Sequence, residues 1–197
     1  MTGSLRDLIL RNRSTRRFDE SRPVALATLR ELVDLARLSA SSGNLQPLKF
    51  LVSCDPAMNA RIFPQLRWAA YLVGWPGPAP GERPAAYVLI LWDNDVQPSR
   101  PSSDPGIAAQ SIMLGAVERG LAGCMIGSID ADGLRRTLRL QERFEIPLAL
   151  ALGAPAEEVH VEELLPGGDH RYWRDEAGVH HVPKRKLDDL IVEAYGE

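Results

Sequence analysis

The sequence predicts an α+β domain, on three observations. Stretches of helical period alternate with short apolar runs of strand length. Residues 85–92 are continuously apolar, as in a strand buried on both faces. Residues 104–120 carry a helical pattern that is apolar round most of its circumference, which marks a helix buried in a core or a subunit interface. At 197 residues the chain suits one sizeable domain. The expected organisation is a single domain over residues 1–197 with an extended C-terminal arm from about residue 154 to 197.

The elements follow in order. Ser4 caps a first helix whose Leu5, Leu8 and Ile9 share a face, with Asp7 at the capping-box position. Thr28 and Glu31 repeat the box spacing, and Leu29, Leu32, Val33 and Ala36 form the stripe of a second helix. After the small-residue loop SASSGN, Leu48–Ser53 reads as a strand ended by Asp55 and Pro56. Residues 61–83 are irregular and aromatic, and the run WPGPAPGERP opposes regular structure. The 85–92 strand comes next. Asp104 and Pro105 then open the long helix at N-cap and N1, and Gly120 closes it. Ala122–Ile126 is a strand, 130–140 a helix on Leu134 and Leu138, and 146–152 a further strand. From 153 to 183 apolar residues are few and no period emerges. A last helix is expected on Leu187, Leu190, Ile191 and Ala194.

Composition narrows the function classes. With 45% hydrophobic and 25% charged residues the chain is an ordinary folded protein, and a net charge of −3 argues against broad nucleic-acid binding. The longest apolar run falls far short of the ~20 residues of a membrane helix. Residues 1–12 lack the apolar centre of a signal peptide, so a cytoplasmic location is expected. Cys54 and Cys124 are too few and too far apart for a zinc site or a CxxC pair. His180 and His181 are adjacent and alternate sides on an extended chain, and His160 and His170 have no ligand-spaced partner. No metal site is assigned.

Three polar clusters remain. RNRSTRRF at 11–18 concentrates four arginines and two hydroxyls, a local anion socket or a solvated basic face. SASSGNLQP at 39–47 offers small hydroxyl and amide groups for the edge of a planar heterocycle, or is simply a turn. Pro183, Lys184, Arg185 and Lys186 would put cations beside the free N–H groups of the expected last helix, a second anion site or an exposed basic turn.

Taken together and in order, RxRSTR, SSxNxQP, the GCMIG strand end, ALGAP and PKRxL resemble the FMN-dependent nitroreductase family across nearly the whole chain, and GIAAQSIMLGAVERGL is similar to that family's long central helix. The resemblance implies a central, mostly antiparallel sheet flanked by helices, in an intertwined homodimer with FMN in two interfacial pockets. It implies that Arg13 and Ser14 meet the FMN phosphate and ribityl chain, that Arg16 lies near the pyrimidine end of the ring, and that Lys184 and Arg185 close on the phosphate. Ser41, Ser42 and Asn44 would reach in from the partner subunit, Gln46 would shape that loop, and the backbone of Ile126 and Gly127 would lie against the isoalloxazine. Two positions depart from the family pattern. Asn12 stands where an arginine is usual, leaving Arg11 or Lys184 to supply the charge, and Ala40 and Leu48 replace a proline and an aromatic.

The implied activity is transfer of electrons from NAD(P)H through FMN to a nitroaromatic, quinone or similar small oxidised substrate by a ping-pong mechanism. The flavin N5 does the chemistry and no protein residue is assigned as catalytic. Elementary electrostatics is consistent with this. An ion pair at 4 Å is worth ~4 kcal/mol at an effective dielectric near 20, before desolvation. A cation such as Arg16 beside the ring also favours the anionic reduced flavin. Trp68, Tyr71 and Trp75 are candidates for the substrate pocket, or are ordinary core. The alternative is a low-turnover flavin-binding protein for FMN storage, transfer or sensing.

Overall fold

The computed structural model describes residues 4–98 and 103–196. By compactness it comprises two units, Met1–Trp68 with Pro76–Ala156, and Ala69–Trp75 with Glu157–Glu197.

In the first unit, α1 (Leu5–Arg11) begins with the expected capping box: the Asp7 N–H donates to Ser4 Oγ (3.3 Å) and the Ser4 N–H to Asp7 Oδ2 (2.9 Å). Those hydrogen bonds from Ser4 hold the Asp7 carboxyl below its ordinary pKa. The strand β1 is short, Phe18–Asp19. The second helix, α2 (Leu26–Leu38), starts earlier than its sequence signature. Its N-cap is Ala25, without a side-chain cap, and Thr28 and Glu31 lie inside it. Val24 and Leu29 are buried at this end, so packing sets the helix start where no cap is present. The expected stripe is otherwise correct, with Leu29, Leu32 and Ala36 buried.

Strand β2 (Leu48–Ser53) has the predicted bounds. Asp55 and Pro56, read as a strand end, instead open α3 (Pro56–Ile62), where Asp55 accepts from the Met58 N–H at 2.7 Å. All eight residues of β3 (Ala86–Asp93) are buried. Helix α4 (Ser103–Glu118) starts one residue before the expected cap, placing Asp104 in its first turn. At its other end the Leu121 N–H reaches Ala116 O (2.9 Å) around Gly120 at φ 72°. Strand β4 (Ala122–Ile126) matches the expectation, α5 (Ala131–Leu138) is capped by Asp130, and β5 (Phe144–Pro155) outruns its predicted 146–152 at both ends.

The sheet is antiparallel, in the order β2-β3-β5, and the far edge of β5 is shared by β4 and then β1. One apolar layer joins it to α2 and α4 through Leu29, Leu32, Val88, Ile90, Ile112, Met113, Leu150 and Leu152. A Cβ at Gly115 of α4 would stand 2.3 Å from Leu35 Cδ1 and 3.0 Å from Leu32 Cδ2, so a larger residue there would have to displace these two leucine side chains of α2.

The second unit holds a three-stranded sheet that lacks a sequence period: β6 (Val159–Glu163) runs parallel to β8 (His180–Lys184), and β7 (Trp173–Arg174) pairs β8 antiparallel. The expected last helix does not form. Residues 187–191 make one turn, with Leu190 N–H to Leu187 O at 2.9 Å, and Leu187 is 69% exposed. An amphipathic stripe stabilises a helix only where it is buried, and so short a segment cannot hold helix alone. Lys184 therefore ends a strand and Arg185 follows it, exposed, so neither stands at a helix N-terminus.

Candidate functional site

The arginine segment leaves α1 through Asn12, whose N–H donates to Leu8 O (2.9 Å) and whose side-chain amide meets Gln110 Oε1 of α4 at 3.5 Å. The chain then runs beside β4: Ser14 bridges Gly123, and the Thr15 N–H donates to Gly123 O at 2.9 Å. This local pairing puts Arg13, Ser14 and Arg16 along the edge of the strand that ends at Ile126 and Gly127. Arg13 is half-buried and its Nη2 donates to Ile9 O (2.8 Å), while its Nε is buried with no partner among the described residues. Burial holds the Arg13 pKa below its ordinary value. Arg16 is buried, with Nη1 donating to Ser14 O at 3.4 Å, and Arg17 pairs with Glu82 at 3.4 Å. Ile126 is buried and Gly127 exposed. A Cβ at Gly127 would meet only Leu148 Cδ1, at 3.9 Å, so this strand end leaves open space over its backbone.

The serine loop is tied to α4. Ser41 Oγ donates to Asp104 Oδ2 (2.7 Å), Ser42 Oγ to Oδ1 (2.8 Å), and the Ser42 N–H to the same carboxylate (3.1 Å). Asp104 is only 2% exposed, and burial raises its pKa. The hydrogen bonds from Ser41 and Ser42 outweigh burial and keep the carboxyl below its ordinary range. Gly43, Asn44 and Gln46 have φ of 57°, 55° and 53°. The Gln46 conformation is secured by its N–H to Ser41 Oγ (3.0 Å) and its Nε2 to Asn44 O (3.2 Å). Both serine hydroxyls thus give their protons to Asp104, and the N–H groups of Ser42, Asn44, Leu45 and Gln46 are donated within the fold, so a ligand at this loop meets hydroxyl lone pairs and the Asn44 side chain. The sequence signature of Asp104 and Pro105 pointed to helix capping and missed this role. The only hint was the density of hydroxyls at 39–42, whose acceptor lies 62 residues away.

Trp68 belongs to the first unit. It is buried, with its ring 5.7 Å from Phe63 and lying so close to Gly77 that a Cβ there would stand 2.6 Å from Trp68 Cδ1. Tyr71 and Trp75 belong to the second unit, where Tyr71 packs on Tyr172 (5.0 Å) and Trp75 lies under the Arg174 guanidinium (4.5 Å). Lys184 and Arg185 are also residues of the second unit.

A family model described as Nitroreductase family matches residues 9–73 and 80–154. Solved structures agree in fold. A nitroreductase family protein from Streptococcus pneumoniae superposes with a TM-score of 0.65 at 16% identity, covering 83% of this chain and 96% of that one. A putative NADH dehydrogenase/NAD(P)H nitroreductase from Parabacteroides distasonis gives 0.66 at 18% identity, over 79% and 89%. An FMN-dependent nitroreductase from Clostridium difficile gives 0.61 at 22% identity, over 77% and 87%. The chain belongs to the nitroreductase family, and its fold is the one the sequence motifs implied. Among the described residues no helix is long and apolar enough to cross a membrane.

Proposed function

We propose that the chain is an FMN-dependent oxidoreductase that passes electrons from NAD(P)H to a nitroaromatic, quinone or similar small oxidised substrate in alternating half-reactions. The observation that carries this is Arg13, a half-buried guanidinium whose Nε lacks a partner among the described residues, on the segment that pairs with β4 at Gly123. A buried cationic donor without a partner calls for an anion, and a phosphate monoester supplies one. Arg13 and Ser14 hold the phosphate and ribityl chain. Arg16 sets its charge near the pyrimidine edge. The serine loop offers the Ser41 and Ser42 lone pairs and Asn44, kept in shape by Gln46, and the backbone of Ile126 and Gly127 forms a flat wall. Bound FMN supplies the hydride chemistry; the residues bind, orient and tune it. Trp68, Tyr71 and Trp75 are assigned to the substrate side.

The working unit is a homodimer. Helix α1 buries no residue within the chain, and Leu5, Ile9 and Leu10 stand exposed on it, an apolar surface that a second copy covers. The test is absorbance and turnover of the purified protein. It carries a flavin chromophore released as FMN on denaturation, is reduced by NADH or NADPH, and reoxidised by a nitroaromatic or quinone. Arg16→Glu weakens FMN binding and lowers the flavin potential. A colourless protein that does not take up FMN overturns the assignment, and bound FMN without turnover supports a storage or sensing role instead.

A further inference from the structure

The first unit contains a second concavity, of about 130 Å³, lined by residues of α3, by the start of β3 and by Glu20 and Pro23. None of the residues assigned to FMN lines it. Its walls are largely apolar, with Phe63, three prolines and Ala60. Two hydrogen-bond donors there are orphaned. Tyr87 is 1% exposed, and among the described residues nothing hydrogen-bonds to its hydroxyl. Arg83 lies with its guanidinium 4.4 Å over the Phe63 ring, and its Nε is buried without a partner. Asn59 is fully engaged, donating to Ala85 O (2.8 Å) and accepting from Ser53 Oγ (2.7 Å). The one carboxylate at the cavity, Glu20, accepts the backbone N–H groups of Gly81 (2.6 Å) and Arg83 (3.3 Å). Buried polar groups in folded proteins are almost always satisfied, so Arg83 and Tyr87, two donor residues with unused capacity in the lining of one largely apolar cavity, describe a ligand with an acceptor head and an apolar body.

We propose that this cavity binds a small organic carboxylate, with its oxygens on Arg83 and the Tyr87 hydroxyl and its body against Phe63. The volume corresponds to about four waters of liquid, room for a butyrate-sized molecule and too little for a flavin or a nicotinamide dinucleotide. Burial pushes the Tyr87 phenol well above its ordinary pKa, so it stays a donor across the working range. Glu20 opposes an anion, and the site therefore selects ligands whose apolar body contributes to binding. This site stands independently of the flavin assignment.

Cys54 provides the readout, because it is half-buried and lines the cavity while Cys124 is buried. Butyrate saturably slows modification of Cys54 by a thiol reagent in the native protein. Arg83→Gln weakens that protection about tenfold or more, as loss of a charge-assisted hydrogen bond should. Tyr87→Phe, which removes one oxygen and keeps the ring, also weakens it, and circular dichroism verifies the fold of both variants. Absence of saturable protection, equal protection in both variants, or equal protection by chloride at matched ionic strength overturns the proposal.

Discussion

The main sheet and the small sheet of residues 159–184 are held by different forces. Every residue of β3 is buried, and the layer beneath it is aliphatic. In the second unit the contacts are charged and aromatic. Glu157 and Arg174 pair at 2.7 Å with side chains only 1% and 11% exposed, and Arg174 also covers Trp75. His181 lies between the carboxylates of Glu162 and Asp175, the latter at 3.2 Å from Nε2, and stacks on Trp173 at 4.0 Å. Apolar burial carries no titrating group, whereas ion pairs and imidazolium contacts respond to pH and are screened by salt. The two sheets of one chain should therefore respond differently to the same change of solution.

Breaking each sheet at its own kind of contact tests that difference. Arg174→Met removes the cation that pairs with the buried Glu157 carboxylate and costs about 3–5 kcal/mol, read as faster amide exchange confined to residues 157–184. Equal acceleration in β3 and β5 would show that the two sheets open as one. Leu150→Ala empties a fully buried position of the main layer and costs about 2–5 kcal/mol in urea unfolding, with no change in pH dependence. Asp104→Asn unravels the acceptor of the serine loop for about 1–3 kcal/mol, and weakens FMN uptake by the apoprotein if the loop holds the cofactor as proposed.

The two sheets also differ in their response to pH. The hydrogen bond to Asp175, then the contact with Glu162, raises the His181 pKa above its ordinary 6.5, and the same hydrogen bond from His181 holds Asp175 below 3.8. A raised imidazole contributes stability that is whole below about pH 6.5 and lost as pH rises through its folded value. A lowered carboxyl contributes stability that is whole above about pH 3.8 and lost as pH falls through its own. The small sheet is thus most stable in mild acid and loosens toward alkaline pH. Amide exchange of 180–184 measured across pH, after correction for the intrinsic rate, checks this, and His181→Phe abolishes the dependence. The smallest effect is at the edge of the first unit, where Ser4→Ala removes one cap of α1 for about 1 kcal/mol, seen as lower helicity without loss of the main sheet.

Elements whose causes are local were legible in the sequence. The Ser4 and Asp7 box, the turn signals round β2 and β4, and the all-round apolar pattern of α4 each act within a few residues. Where one local signal served two outcomes, inference failed. Asp55 and Pro56 suit a strand end and a helix start equally, and Thr28 and Glu31 have box spacing inside a helix whose start is set by packing. The 159–184 sheet left no trace in hydropathy because its stabilising pairs are polar and separated in sequence, such as Glu162 with His181. At the candidate site, the Arg13, Ser14 and Arg16 run was visible as a motif. The Asp104 anchor was not, since a carboxylate reveals its donors only once the chain has folded.

The sequence carried the family, most helices and strands of the first unit, and the motifs proposed for the flavin site. Those depend on near-neighbour periodicity and on motifs that keep their order. Tertiary structure alone decided which polar groups are already satisfied and which are left over: the Ser41 and Ser42 protons are taken by Asp104, while Arg13 Nε, Arg83 Nε and the Tyr87 hydroxyl have no partner among the described residues. The physical reason is that every donor looks alike in a sequence, and only burial beside or away from an acceptor determines whether it has capacity left for a ligand.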